Sequence, residues 1–304
     1  MSLRAAVLMG ALQGGPTLAE RVSALGVRGK VALITAGWQE REPEDTEFQA
    51  DLPGGAVNLR LHARAETVFR EDRHLAAAHR GRQDTLRAMQ DLYRLRLAGA
   101  LGAWRAVRDS PAPEHLREEA TLACVDAIRD LDAWHLAQCA RVRAEFDGQV
   151  HPFQRRALAR HRELVMKQLA GCEAVAIAGG HVAVLVNRLL MFGLTDALRE
   201  RPLLAWSGGA MAVSERVVLF HGDPPQGEGI CEVLDHGLGL VPAVVLFPEP
   251  ERRLNLGGTA HFGLLPARFA PAQCLALPAG ASVVAREGRL VEHSGVLPLG
   301  PAPA

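Results

Sequence analysis

Short, wholly apolar runs punctuated by Gly and Pro open the chain. Ala6-Val7-Leu8-Met9 and Val31-Ala32-Leu33-Ile34-Thr35 show no alternation of polar and apolar positions, the pattern of strands buried on both faces. Residues 17–25 between them fit a helix, so the first 60 residues predict a βαβ arrangement and a parallel sheet. From 61 to 170 the texture changes to Arg, Ala, Leu and Glu, with glycine only at 81, 99, 102 and 148. Leu86, Met89, Leu92 and Leu95 recur at helical spacing, as do Leu122, Val125, Ile128 and Leu131, which predicts three or four helices with these residues on their apolar stripes. Ser110-Pro111-Ala112-Pro113 divides the region, and Ser110 with Glu114, Glu118 and Glu119 after it predicts a helix start.

From Cys172 the βα rhythm returns. Residues 174–178 predict a strand, Gly179-Gly180 a tight turn, and 182–191 a helix that is apolar nearly all round. Further strands are expected at 203–205, 217–220, 244–247 and 274–277, and a hairpin over 282–290 through Arg286-Glu287-Gly288. Residues 260–269 stay ambiguous because Gly263 and Pro266 would interrupt a helix, and the tail with Pro298, Pro301 and Pro303 is expected to fray. Together these elements predict a single three-layer α/β domain over 1–304 with a mostly parallel sheet, a helical insertion at 61–170, and the functional turns in 171–304.

Composition narrows the function classes. Thirty-four basic residues balance thirty-four acidic ones, which argues against a nucleic-acid or anionic-lipid footprint. The apolar share of 48% and charged share of 22% describe a globular chain, and no apolar run reaches the roughly 18 residues of a membrane span. Arg4 before Ala5-Ala6-Val7-Leu8-Met9 imitates a signal peptide, but Gly10 interrupts it and the run reads as a first buried strand. Five widely spaced cysteines without a C-x-x-C pair fit free thiols in a reducing cytoplasm. His115 with Glu119 and His135 with Cys139 make i, i+4 pairs without a third ligand at metal-site spacing, so neither a metal nor a cofactor is expected. Among the acidic residues, Glu40, Glu42, Glu44, Asp45 and Glu47 follow a strand end, as does Trp38, and read as a solvated loop beside a possible ligand crevice.

One stretch has the arrangement of a nucleophile elbow. In Leu203-Leu204-Ala205-Trp206-Ser207-Gly208-Gly209-Ala210 a buried strand ends, a hydroxyl follows, and small residues begin a helix. A sharp turn of this kind lifts a side chain above the sheet and tolerates only small neighbours. The amide of Gly208, at the helix start, would face an oxyanion. A plain strand–helix turn and a phosphate-binding turn share these features, so the stretch alone leaves three readings open. Ala178-Gly179-Gly180-His181 is a second strand–helix turn. Its amides would supply a further oxyanion donor, or its glycines would serve geometry alone, with His181 capping the helix or facing a cleft.

Taken in order, Ala178-Gly179-Gly180-His181, Asn187-Arg188-Leu189, Ala205-Trp206-Ser207-Gly208-Gly209-Ala210 and Gly237-Leu238-Gly239-Leu240-Val241-Pro242 resemble the dipeptidase E and cyanophycinase family of serine peptidases. The resemblance covers 172–256, is weaker over 1–60 and does not include 61–170. It implies the flavodoxin-like fold of the class I glutamine amidotransferases, with Ser207 as nucleophile and Gly179, Gly180 and Gly208 shaping the oxyanion site. It also implies a small peptide or amide as substrate, and the serine disfavours the Cys-dependent amidotransferase chemistry of that fold.

Two departures stand in the same pocket. The Asn of the family's Gly-Gly-Asn turn is His181 here, and Glu249 occupies the place of the family's catalytic His, in Phe247-Pro248-Glu249-Pro250. A carboxylate is ordinarily a weak base toward a serine hydroxyl. Three sources of a base stay open: Glu249 in a buried setting, a histidine such as His221 (with Asp223 two residues on), His236 or His261, or a different alignment of the loop. His221 is placed ahead of Glu249 and His261. A serine hydrolase is therefore the leading expectation, in a cytoplasmic chain expected to dimerise. The alternative is a non-catalytic protein of the same fold that binds a small molecule or a partner.

Overall fold

The computed structural model describes residues 3–12, 17–52, 54–220, 231–253 and 263–299. The chain runs through β1 (Ala5–Met9), α1 (Leu18–Ala24), β2 (Val31–Ile34), a 3-10 segment at Ala36–Arg41, α2 (Thr46–Asp51) and β3 (Ala56–Asn58). Four helices follow: α3 (Leu61–Glu71), α4 (Arg73–Arg108), α5 (Glu114–Val150) and α6 (Arg156–Ala170). Then come β4 (Ala174–Ile177), α7 (Val182–Met191), α8 (Thr195–Arg199), β5 (Leu203–Trp206) and α9 (Gly208–Val213). The last part contains β6 (Arg216–Leu219), β7 (Glu232–His236), β8 (Val244–Pro248), α10 (Pro250–Arg253), α11 (Leu264–Phe269), β9 (Gln273–Leu277), β10 (Ser282–Arg286), β11 (Arg289–Ser294) and β12 (Leu297–Pro298).

The wholly apolar runs form the sheet's centre. A seven-stranded sheet has the order β11-β10-β1-β5-β4-β2-β3, with β1, β5, β4, β2 and β3 parallel and the β10–β11 hairpin antiparallel at one edge. Every residue of β1, β2, β4 and β5 is buried, as expected of parallel strands covered on both faces. The chain leaves β2 toward β3 and leaves β4 toward β5 on the opposite side. The ends of β2 and β4 therefore flank a switch point, where open α/β sheets bind ligands. Beside this sheet, β8 pairs in parallel with β9, and β6 pairs antiparallel with β7. No helix among the described residues is long and apolar enough to cross a membrane.

Against the three or four helices predicted in 61–170, four are present, but their buried faces differ from the expected stripes. On α4 the buried side is Gln90, Tyr93, Leu97, Leu101 and Trp104, whereas Leu92 and Leu95 are 59% and 73% exposed. On α5, Val125, Ile128 and Leu131 are buried as predicted and Leu122 is 65% exposed. Leucine spacing misled on α4 because a buried polar network, invisible to an apolar pattern, holds the helix's other side. The start of α5 also shifts. Ser110 accepts from the Ala112 amide within the turn, and Pro113 precedes the first helical residue.

That network ties the α4–α5 hairpin to the C-terminal part. The Arg268 guanidinium donates to both Asp132 oxygens (Nε–Oδ2 2.7 Å, Nη2–Oδ1 2.8 Å), to the Tyr93 hydroxyl at 2.9 Å and to the Cys231 carbonyl at 2.7 Å. Tyr93 in turn donates to Asp132 at 2.7 Å and accepts from the Val233 amide at 3.1 Å. Burial alone would depress the basicity of Arg268, but the hydrogen bonds and charge of Asp132 outweigh it and raise its pKa. Burial raises the pKa of Tyr93, so its hydroxyl stays a donor.

Removing one partner leaves a buried charge unpaired. Asp132→Ala is expected to lower unfolding free energy by about 3–5 kcal/mol, read as a lower midpoint in urea denaturation.

Candidate functional site

Ser207 follows β5 directly and carries φ 50° and ψ −126°, a conformation an L-residue rarely adopts and one that costs on the order of 1–3 kcal/mol. The bend is held at both peptide ends. Its amide donates to the Met9 carbonyl at 3.0 Å, at the end of β1, and its carbonyl accepts from Ala210 at 3.0 Å and Met211 at 3.3 Å. With the backbone so reversed, the side chain leaves the β5 alternation. It is 9% exposed, and its hydroxyl donates to Glu249 Oε1 at 2.9 Å.

Three backbones meet here at distances that exclude side chains. A Cβ on Gly179 would lie 2.8 Å from Ser207 Cβ, 3.1 Å from its Oγ and 3.0 Å from the Gly208 nitrogen. On Gly209 it would lie 2.4 Å from the Ile177 carbonyl oxygen. Gly180 sits at φ 98°, and a Cβ there would meet the Gly37 carbonyl oxygen at 2.5 Å. The Gly180 amide has no hydrogen-bond acceptor among the described residues, and the Gly208 amide, first in α9, has no intrahelical one. The sequence brought these glycines to one place as predicted, but not Gly37, whose role no local pattern announces.

Glu249 is half-buried at the end of β8, itself at φ 56°, with its amide donating to the Leu277 carbonyl at 3.0 Å. The segment 237–241 fixes this approach. The amides of Leu238, Gly239 and Leu240 bind the carbonyls of Ala212, Ser214 and Val213, so the chain is zipped against the end of α9 just before β8 begins. Of the histidines weighed as a base, His221 and His261 lie outside the described residues, as does Asp223, and His236 is an exposed residue at the end of β7. His181 is the N-cap of α7: its Nδ1 accepts from the Val184 amide at 3.4 Å and its own amide donates to the Gly37 carbonyl at 2.8 Å. Among the described residues, therefore, Ser207 meets a carboxylate and no imidazole.

The segment after β2 is not the solvated loop expected. It forms the 3-10 segment and α2, and two of its carboxylates are buried. Glu42 accepts from the amides of His62 (3.1 Å) and Ala63 (2.9 Å), capping α3, and Asp45 accepts from Asn58 Nδ2 at 2.7 Å. Its contribution near the switch point is aromatic instead. Phe48 lies between Trp38 and Trp206, with ring centroids 5.6 Å and 5.3 Å apart, so the residues flanking β4's end carry a continuous ring wall. A cavity of about 640 Å³ lies between α4, α5, α7 and the β6–β7 pair; His181 borders it, whereas Ser207 and Glu249 do not. No group of three or more His, Cys, Asp or Glu among the described residues could hold a metal ion. No protein-family model matches the chain, and no curated protein matches it.

Two glycine substitutions separate the close approach from ordinary helix propensity. Gly209→Ala forces its Cβ against the Ile177 carbonyl and is expected to lower the melting temperature, whereas Gly81→Ala, with open space around it in α4, is expected to add about 0.5–1 kcal/mol. Differential scanning calorimetry of both proteins reads the opposite signs.

Proposed function

We propose that the chain is a serine hydrolase of flavodoxin-like fold, acting on a small peptide or amide through Ser207. The observation that carries this reading is the reversed backbone at Ser207, with its hydroxyl on Glu249 at 2.9 Å and the glycine amides alongside. Strand order supports the fold. With β2 counted as first of the βα unit, β3-β2-β4-β5 follows the flavodoxin-like 2-1-3-4, and the N-terminal β1 takes the fifth place. The resemblance to the dipeptidase E and cyanophycinase family supports the same assignment, with glutamate in the position of its histidine.

The chemistry follows from these contacts. Ser207 Oγ attacks the substrate carbonyl carbon while its proton passes along the existing hydrogen bond to Glu249. The carbonyl oxygen takes up the negative charge and accepts from the amides of Gly180 and Gly208. Collapse breaks the bond to the leaving amine, which takes the proton from Glu249 and leaves an acyl-serine. Water then repeats the sequence and releases the acid. Glu249 thus accepts and returns one proton per half-reaction, the part histidine plays in a triad.

Screening a dipeptide and aryl-amide panel tests the proposal. Hydrolysis is expected to vanish in Ser207→Ala and to fall at least about a hundredfold in Glu249→Gln, with both proteins folded. Turnover that survives Ser207→Ala assigns the chemistry elsewhere. A panel on which only binding is detected favours the non-catalytic alternative.

A further inference from the structure

The 640 Å³ cavity is of the size that holds small-molecule ligands, and it is roofed by the α4–α5 hairpin over α7. Its charged lining is mostly basic: Arg87, Arg94, Arg143 and Arg188 against Asp91 and Asp235. Internal pairing accounts for much of this. Arg94 binds Glu232 at 2.5 and 2.9 Å, Arg143 binds Asp235, Arg188 binds Glu66 at 2.9 Å, and Arg87 binds Asp84 at 3.0 Å.

What is left after pairing decides the ligand. Arg188 is only 8% exposed, yet its Nε has no hydrogen-bond partner among the described residues, and the buried Gln83 Nε2 has none either; both residues line the cavity. Arg82 stacks on Phe146 at 4.2 Å and has no hydrogen-bond or ion-pair partner among the described residues. It borders a smaller cavity of about 130 Å³ that shares His79 and Arg143 with the larger one. One acceptor is also left over. Gln90, 6% exposed, is fixed by donating to Glu232 and the Val233 carbonyl, and its Oε1 has no donor among the described residues. Buried polar atoms without partners are costly, and two buried N–H donors on a cavity bordered by four arginines match an acceptor-rich anion.

The field at His79 agrees. Its Nε2 donates to Asn187 Oδ1 at 3.0 Å, and its pKa falls to about 4, chiefly through burial and then through Arg82, with Arg188 and Arg143 adding to the effect. Burial and the neighbouring arginines thus keep the ring neutral. A histidine whose folded value lies below its ordinary 6.5 contributes stability that is complete above pH 6.5. That contribution is lost as the pH falls toward 4. His79→Gln is expected to flatten the stability–pH curve in that window, measured by urea midpoints at a series of pH values.

We infer that this cavity is a second ligand site, separate from Ser207, that takes a small anion-bearing molecule, carboxylate or phosphate, on Arg188, Gln83 and the neighbouring arginines. Its polar groups are held by the hairpin and the sheet together, so an occupant would also brace α4–α5 against α7.

Isothermal titration of the full chain with citrate, inorganic phosphate and, as neutral control, glycerol tests the assignment. Saturable binding of citrate or phosphate is expected with a dissociation constant below about 1 mM, and none of glycerol. Citrate against phosphate identifies the anion class. Binding is expected to weaken at least tenfold in Arg188→Met and in the double variant Gln83→Leu/Arg87→Gln, whose positions are not fully buried, and to persist in Ser207→Ala. If Arg188→Met does not fold, the double variant decides. The inference is overturned by folded protein that binds neither anion, by unchanged binding in the double variant, or by loss of binding in Ser207→Ala, which would place the anion at the elbow.

Discussion

Everything at the candidate site depends on backbones approaching more closely than side chains permit. The ends of β2, β4 and β5 bring Gly37, Gly179, Gly180, Gly208 and Gly209 within contacts of 2.4–3.1 Å of any added Cβ. Only this approach lets Ser207 reverse direction beneath Gly179 while β1 holds its amide. The strain of one residue is thus supported by a sheet whose central strands are buried throughout, the setting in which an unfavourable conformation persists. Glu249 meets the serine from a different sheet, in a left-handed conformation of its own. Two strained residues joined by a hydrogen bond across separate elements have no evident value for stability alone.

The parts legible in the sequence were those with a local signature. Continuous apolar runs located β1, β2, β4 and β5 to within a residue or so, and α7 matches its expected range because small turns bound it on both sides. The elbow was legible because strand, hydroxyl and paired glycines are adjacent in the chain. Glu249 stands out in the sequence only because the family resemblance puts a histidine at its place, and His221 ranks ahead of it there as a base; its contact with Ser207 joins residues 42 apart. The short β3 and β7 were not seen: three residues give no period, and β7 ends in Asp235 and His236.

Helix faces were less legible than helices. Leu92 and Leu95 point outward because Tyr93 and Gln90 are held inward by Asp132, Arg268 and Glu232, partners at 39 to 175 residues' separation. Nor could the acidic run after β2 be sorted by pattern. Glu42 and Asp45 are buried as helix cap and amide acceptor, while Glu40, Glu44 and Glu47 stay exposed. In both places hydrogen bonding to distant groups, rather than hydrophobicity, decides which side is inside.

The central claim is that Ser207 is a nucleophile made ready by its turn and by Glu249. Its most direct test is reaction of the purified chain with a fluorophosphonate serine probe, followed by peptide mass spectrometry. A single adduct on Ser207 is predicted, forming more slowly in folded Glu249→Gln. Absence of an adduct, or an adduct on another residue while Ser207 stays unmodified, would contradict the account.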